Sequence, residues 1–292
     1  MAKLERDEIS GTETTGHEWD GIKELNTPLP RWWLWTFYAT IIWAIGYTIA
    51  YPAWPFVAGG TQGLLGWHSR TQLVAQQQAA AASQADKLAA IEAASLDDIV
   101  KNPDLMQFAQ AGGAAAFKVN CVQCHGAGAA GGKGYPNLND DDWLWGGSLA
   151  AINQTLQHGI RYTQDGETRD SVMPSFGADA ILTPEQINDV AEQVLKLSAQ
   201  AHDEAAAGRG AAIFAEQCAA CHGAAGEGNR ELGAPKLADA IWLYGGDKAS
   251  IVAQLNKPKM GVMPAWSQRL TPATIKQLTV YVHSLGGGEP SQ

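Results

Sequence analysis

The sequence predicts a mostly α-helical protein in which one N-terminal transmembrane helix precedes two tandem globular domains. Three features carry this prediction: an uncharged apolar stretch near the N-terminus, a long internal repeat, and a helix-capping signal in each copy of that repeat. The chain has 292 residues, and because single cores usually stop growing near ~250 residues, two domains and an anchor fit this length. No segment alternates apolar and polar residues for long, so strands are expected to be few.

The composition excludes two broad classes of protein. Hydrophobic residues make up 46% of the chain and charged residues 17%, which favours a globular protein with one apolar segment over a disordered chain. The net charge is -10 and no Lys or Arg cluster is present, so nucleic acid is not an expected partner. An acidic surface suits encounter with a basic protein, although many soluble proteins are acidic without such a partner.

Residues 1–31 are polar and carry both charges, and we predict that they form an N-terminal tail. From Trp32 to Ser69 there is no Asp, Glu, Lys or Arg, and Trp32 to Ala50 is nearly all apolar. Because a hydrocarbon core of ~30 Å needs about 20 apolar helical residues, this stretch is long enough to cross a membrane. We therefore predict a transmembrane anchor over residues 32–58.

The two ends of this stretch favour an anchor over the alternatives. Pro52 and Pro55 mark where the helix should end. A cleaved signal peptide would start nearer Met1, and a buried helix has no reason to gather tryptophans at its ends. Such tryptophans are typical of the interfacial belts of membrane helices: Trp32, Trp33, Trp35 and Trp54.

Residues 59–104 are predicted to be a linker. The stretch 71–94 is rich in alanine and glutamine without a strong apolar stripe, which favours a solvated helical spacer. Ser95 followed by Asp98 resembles a helix-capping signal, so a further helix is expected to lead into the first globular domain.

From about residue 105 onward the sequence repeats itself, which predicts two homologous domains over residues 105–200 and 201–292. The connection before the last matching block is several residues longer in the first copy, around Arg161 to Arg169. The matching blocks are GAAAFKVNCVQCHG (113–126) with GAAIFAEQCAACHG (210–223), YPNLNDDDWLWGG (135–147) with APKLADAIWLYGG (234–246), and SVMPSF (171–176) with GVMPAW (261–266).

Each copy also contains a helix-start signal near its end. Thr183, Pro184 and Gln186 form a capping box with proline at the first helical position, and Thr271 with Pro272 repeats the signal. Apolar residues then recur at helical spacing in both copies: Ile187, Val190, Val194 and Leu197, and Ile275, Leu278, Val282 and Leu285.

All four cysteines lie in CxxC pairs that are followed directly by histidine, and CxxCH is the attachment signature of c-type haem. On a helix these three residues share one face, so two thiols can form thioethers to a porphyrin while the histidine supplies an axial ligand. The sequence therefore predicts two covalently bound haem c groups, held by Cys121, Cys124 and His125 and by Cys218, Cys221 and His222. Zinc binding or a redox disulfide fits less well, because the pairs are far apart and each sits in a complete repeat.

The sixth iron ligands are expected to be Met173 and Met263, which precede a proline at matching positions of the repeat. Met106 is interpreted as core filler, and Met260, three residues before Met263, is the ligand that competes with Met263. Whether each methionine serves the haem of its own repeat or the other haem stays open. With two protein ligands on each iron, no position is left for oxygen or peroxide, which favours electron transfer over catalysis.

Other polar and aromatic residues have plainer interpretations. His158, His202 and His283 have no repeat counterpart and are expected at the surface. Trp143 and Trp242 are expected to pack against the haems rather than to relay electrons. The acidic run from Asp140 to Asp142 is interpreted as a solvated turn.

Haem attachment to such motifs takes place on the oxidising side of bacterial membranes. We therefore expect everything after residue 60 to lie outside the cytoplasm, with residues 1–31 as a cytoplasmic tail. The Lys and Arg residues around the anchor favour this orientation weakly.

The chain resembles the dihaem subunit family of cbb3-type cytochrome c oxidases, called CcoP or FixP (subunit III). The resemblance rests on the CVQCH and CAACH units with their MP loops, and more specifically on the entry to the anchor, HEWDGIKELNTPLPRWWLWTFYATIIWAIGY (17–47). It covers nearly the whole length and implies two tandem class I cytochrome c domains.

The resemblance also implies a role. Electrons from a donor cytochrome c would pass through two haems to a monohaem subunit and on to the haem-copper subunit of a proton-pumping complex in the bacterial inner membrane. The chain itself would not reduce oxygen. The alternatives are a freestanding membrane-anchored dihaem cytochrome or the electron acceptor of a periplasmic dehydrogenase, and, more distantly, a dihaem peroxidase.

Overall fold

The structure is a computed structural model that describes residues 5–290, and it divides into two units between Ser83 and Gln84. The described part of the chain is mostly helical, with short strands confined to the first unit. It contains one helix that is long and apolar enough to cross a membrane, close to the N-terminus. The predicted fold class, a mostly α protein with one N-terminal apolar helix, is confirmed at this level.

The first unit opens with a β-hairpin that the sequence analysis did not predict. Strands β1 (Thr14–Trp19) and β2 (Ile22–Leu25) pair antiparallel. Asp20 and Gly21 connect them with positive φ angles of 51° and 86°. An Asp-Gly pair is favoured in two-residue hairpin loops because both central residues need positive φ. The signal was therefore present in the sequence.

Helix α1 (Arg31–Ala50) has 20 residues, which corresponds to a length of about 30 Å. None of its residues is buried within the protein, although nearly all of its side chains are apolar. The helix ends at Tyr51, directly before Pro52, as expected for a proline that cannot continue the backbone hydrogen bonds. A short ribbon of β3 (Pro55–Phe56) and β4 (Gly59–Gly60) follows it.

Helix α2 (Ser69–Ala93) covers the alanine- and glutamine-rich stretch and continues into the second unit. Two further helices follow, α3 (Leu96–Lys101) and α4 (Pro103–Asn120). Together with the last turn of α2 they contribute to a small apolar cluster around Ile91 and Ile99. The Ser95 hydroxyl caps α3 by accepting a hydrogen bond from the Asp98 amide, as the sequence predicted. Met106 packs against this cluster as core filler.

The second unit contains the repeat, and each copy supplies a CxxCH turn, a short middle helix and a later helix. The CxxCH turns are α5 (Val122–His125) and α9 (Ala219–His222), and helix α8 (Glu204–Gln217) leads into α9. The middle helices are α6 (Leu149–His158) and α10 (Lys248–Asn256), and the later helices are α7 (Pro184–Leu197) and α11 (Pro272–His283). The capping box at Thr183 is complete, and Thr271 caps α11.

The later helices pack across the repeat rather than within it. Helix α7 lies against α8 of the second copy, and α11 lies against α4 of the first copy. The two apolar cores are mixed accordingly: one joins Phe176 and Val190 to Phe214 and Ile251, and the other joins Phe117 and Ile152 to Leu278 and Val282. Each core is therefore completed by residues of both repeat copies.

Two glycines at matching repeat positions allow these helix pairs to approach closely. A Cβ atom on Gly113 would lie 2.2 Å from the backbone oxygen of Gln277, and one on Gly210 would lie 2.0 Å from that of Asp189. No side chain fits at such distances unless the helices move apart. The glycine at this position of each repeat copy thus allows the close helix crossing in both cores.

Candidate functional site

A largely apolar cavity lies beside the first CxxCH turn. Cys121 and His125 line one part of it, and Met263 of the second repeat lines another. The space amounts to about 750 Å³ when its open mouth is included. The remaining wall is built mainly from Phe117, Leu138, Trp143, Ile152, Leu156 and Leu278.

The imidazole of His125 is oriented by a backbone carbonyl. Its Nδ1 atom lies 3.1 Å from the oxygen of Pro136. A carbonyl oxygen can only accept, so Nδ1 carries the proton and Nε2 keeps a lone pair for a metal ion. Burial lowers the pKa of His125, which favours this neutral form.

A second, larger cavity repeats this arrangement beside the other CxxCH turn. It is lined by Cys218, Cys221 and His222 together with Met173 of the first repeat, and its space amounts to about 1370 Å³ including the mouth. The His222 Nδ1 atom lies 2.9 Å from the oxygen of Pro235, the repeat partner of Pro136. Burial again lowers the pKa of the imidazole.

The cysteines of each pair differ in exposure. Cys121 is half-buried and Cys218 is buried, whereas Cys124 and Cys221 are exposed. Burial, and then the neighbouring cysteine, raises the pKa of Cys121 to about 11 and that of Cys218 to about 11. In the unmodified chain these thiols therefore stay protonated at neutral pH, which keeps an uncharged sulfur against each apolar wall.

The methionines are exchanged between the repeats. Met263 packs against the core that contains Phe117, and Met173 packs against the core that contains Phe214. The Met263 loop is held by a two-bond bridge to the first copy: the Ile160 amide donates to the Met263 oxygen at 2.9 Å, and the Met263 amide donates to the Ile160 oxygen at 3.0 Å. Each methionine thus lines the cavity beside the CxxCH turn of the other repeat.

Met260 does not line the first cavity, where Met263 lies. It lines the second cavity, where Met173 also lies, and its side chain is 37% exposed. Met173 is instead packed against the same buried cluster as Cys218. Met260 therefore competes with Met173 in space, although the sequence analysis placed it in competition with Met263.

The remaining residues singled out by sequence fall into three groups. Trp143 and Trp242 each line one cavity, where they can pack against a cofactor. None of His158, His202 and His283 lines either cavity. Asp142 was interpreted as part of a solvated turn, and this is wrong: it is half-buried at the first cavity, and burial followed by the charge of Asp239 raises its pKa.

Sequence reasoning missed two residues of these sites. Leu144 lines both cavities, so the two sites share a wall. Arg161, in the longer connection of the first copy, lines the second cavity with its half-buried side chain. The only sequence signal for Arg161 was that the insertion has no counterpart in the second repeat.

The residues present fit a covalently attached haem in each cavity. Apolar walls, one imidazole with a free Nε2, one thioether sulfur and adjacent thiols are the donor set of a c-type site with histidine and methionine ligands. The same pattern occurs twice, and in each copy a backbone carbonyl bonds the imidazole Nδ1.

Three protein-family models match the chain. Residues 11–58 match the N-terminal domain of cytochrome oxidase-cbb3, FixP; residues 110–198 match cytochrome c; and residues 205–282 match cytochrome c oxidase, cbb3-type, subunit III. Helix α1 lies inside the first of these matches, which supports membrane anchoring.

Curated relatives match nearly the full length. The chain is 57% identical over 283 residues to the cbb3-type cytochrome c oxidase subunit FixP of Sinorhizobium medicae, with 97% of each chain covered. It is 58% identical over 288 residues to the FixP subunit of Azorhizobium caulinodans, covering 97% of this chain and 96% of the relative. It is 55% identical over 276 residues to the CcoP subunit of Cereibacter sphaeroides, covering 94% and 95%.

Proposed function

Because this chain belongs to the family of FixP and CcoP subunits of cbb3-type cytochrome c oxidases, we propose that it carries electrons through two cross-ligated c-type haems. The membership makes it an electron-transfer subunit of the oxidase that works in a complex with other subunits and contains covalently bound c-type haem. The number of haems, their ligands and the path of the electrons are the proposal.

One observation carries the proposal: each CxxCH histidine shares an apolar cavity with a methionine from the other repeat. We assign Cys121 and Cys124 as the thioether sites of the first haem, with His125 and Met263 as axial ligands. For the second haem the corresponding residues are Cys218 and Cys221, with His222 and Met173.

A bound c-type haem supplies a one-electron iron couple, whose potential is higher with a methionine ligand than with a second imidazole. The chain's own residues orient and shield it. The carbonyls of Pro136 and Pro235 fix the two imidazole rings. Apolar side chains such as Phe117 and Phe214 line the cavities and exclude water. Leu144 lines both cavities and so separates the two sites.

The finer parts of the role follow from the family. We propose that a donor cytochrome c reduces this subunit, which passes electrons to the monohaem subunit and so to the haem-copper catalytic subunit of a proton-pumping complex. The chain itself would not reduce oxygen, since His125 and Met263 would hold one iron and His222 and Met173 the other, which would leave no position for oxygen. Because c-type haem attachment needs an oxidising compartment, we place the second unit on the periplasmic side of the inner membrane.

Cross-ligation can be tested in single-haem variants. Cys218→Ala/Cys221→Ala leaves only the first site, and in that background we expect Met263→Leu to abolish the near-infrared methionine-to-iron charge-transfer band. Met173→Leu should leave the band in place. In the reverse background, Cys121→Ala/Cys124→Ala, the two methionines should exchange roles. A band that instead follows the methionine of the same repeat would refute the proposed ligand sets.

The haem count and the partners need separate measurements. Mass spectrometry of the wild-type chain should show two added haem masses, and each double cysteine variant should show one. Purification of the full chain in mild detergent should bring down a haem-copper oxidase core. Recovery of a dehydrogenase, or of the chain alone, would favour the rival roles of an acceptor or a freestanding cytochrome.

A further inference from the structure

The longer connection in the first repeat places one arginine between the two methionine loops. Arg161 follows Ile160, whose backbone is bridged to Met263. The Arg161 amide donates to the Arg169 oxygen at 2.8 Å, and its φ angle of 50° lies in the left-handed region. The backbone around Arg161 is thus fixed on two sides, which directs a half-buried side chain into the region between the repeats.

The guanidinium group of Arg161 bonds one carbonyl from each methionine loop. Its Nε donates to the Gly261 oxygen at 2.8 Å, and its Nη1 donates to the Ser171 oxygen at 3.0 Å. Ser171 and Gly261 are matching positions of the repeat, each two residues before its methionine. A single side chain therefore makes equivalent contacts with both loops.

Arginine is suited to this position for a geometric reason. Its guanidinium is planar and presents several donors in fixed directions, so two carbonyls can be held at a set separation. Lysine carries the same charge as a point on a flexible stem and fixes no such separation. The positive group also lies on the wall of the second cavity, where it would disfavour the ferric state of a haem iron held there.

We propose that Arg161 is a positioning residue that holds both methionine ligands at their irons and so ties the two reduction potentials to one side chain. The inference rests on the proposed function, because it assumes that Met173 and Met263 are the sixth ligands. No repeat counterpart shares the task, so one substitution should act on both sites.

The two loops depend on Arg161 to different degrees. Met263 is also held by its bridge to Ile160. Within residues 5–290, the backbone of Met173 makes no such hydrogen bond, and the nearest one upstream is the Ser171 contact with Arg161. Loss of the guanidinium should therefore loosen the second site more than the first.

The test is a redox titration of the full-length holoprotein in detergent. We expect Arg161→Gln to lower both midpoint potentials, the second by at least a tenfold change in the redox equilibrium, equal to about 59 mV for one electron. The methionine-to-iron charge-transfer bands should weaken in parallel. Arg161→Lys retains the positive charge but not the planar guanidinium with its several donors. It should lower both midpoint potentials by less than Arg161→Gln does.

Arg169→Gln is the matched control. Arg169 is also half-buried in this connection, but its side chain bonds the Trp145 oxygen, Thr155 and Gln154 rather than a methionine loop. Its removal should leave the second potential unchanged.

Three outcomes would overturn the inference: both potentials unchanged in Arg161→Gln, only the second one shifted with both bands intact, or wild-type potentials in Arg161→Lys. If Arg161→Gln loses haem or fails to fold, the lysine variant decides. Failure of the proposed function would look different, because the wild-type protein itself would then lack two haem masses or the charge-transfer bands.

Discussion

The two cavities are built from the same repeat but differ in how they are closed and held. The second is larger, about 1370 Å³ against about 750 Å³, yet its Cys218 and His222 are buried where Cys121 and His125 are only half-buried. In the first cavity a backbone bridge to Ile160 holds Met263 directly. In the second cavity the loop before Met173 is held through the hydrogen bond between Ser171 and the Arg161 side chain. The two copies of the repeat therefore give their CxxCH turns cavities that differ in size, in burial and in how the methionine is held.

The helices that complete the two cores differ in charge as well. Helix α7 carries two buried carboxylates: Asp189 accepts two hydrogen bonds from Arg209, and Glu192 lies 2.6 Å from the Lys248 ammonium. At the matching positions of α11 stand Gln277 and Val280, which are also buried. Helix α7 thus carries two buried carboxylates paired with cations, and within the described residues the matching positions of α11 carry no acidic group.

Replacing the methionines should give the largest difference between the two sites. We expect Met263→His and Met173→His each to lower one midpoint potential by more than a tenfold change in the redox equilibrium, over about 59 mV, because a second imidazole replaces the thioether. Redox titration in the single-haem backgrounds identifies the site that moves. Met260→His is the control, and a shift of the second potential in that variant would transfer the ligand role from Met173 to Met260.

The helix crossings should respond almost equally in the two cores. Gly113→Ala and Gly210→Ala each force a Cβ atom against backbone oxygen, at 2.2 Å and 2.0 Å, and should destabilise the protein by about 1–3 kcal/mol through overpacking. Thermal unfolding of the holoprotein measures this. Gly208→Ala is the control in α8, since nothing lies within 4 Å of its added Cβ, and there alanine should be neutral or stabilising. Equal melting temperatures for all three variants would contradict the close crossing.

A smaller difference is expected in acid. The Lys248 side chain and then the Asp203 amide hold the pKa of Glu192 below its usual value of 4.5. A lowered carboxyl pKa in the folded state stabilises the fold above about pH 4.5, and this contribution is lost as pH falls through the folded pKa. The core around the second cavity should therefore lose stability first.

Calorimetry of the full chain between about pH 7 and about pH 3 tests this, because the expected loss lies below about pH 4.5. Glu192→Gln should lower the melting temperature at neutral pH and flatten its decline in acid. Glu185→Gln, an exposed change on the same helix, should leave the decline as it is. If wild type and Glu192→Gln decline in parallel, the ion pair with Lys248 does not contribute to acid sensitivity.

Features that depend on residues close together in the sequence could be predicted from it. The CxxCH turns, the proline after α1 and the threonine caps of α7 and α11 depend on residues within a few positions of one another. The hairpin at Asp20 and Gly21 depends on neighbouring residues too and was overlooked. The domain boundaries at residues 105, 200 and 201 stay predictions, since the later helices pack across the repeat.

The pairing of methionines with histidines does not depend on residues close together in the sequence. Met173 lies almost midway along the chain between His125 and His222, so sequence separation favours neither. The choice is made by packing: α7 with its preceding loop buries its apolar face against α8, and α11 buries its own against α4. The sequence by itself determined which residue types can bind and hold a haem. Only the tertiary structure decided which methionine shares a cavity with which histidine, and which arginine bonds both methionine loops. These contacts join segments that no periodicity or motif connects.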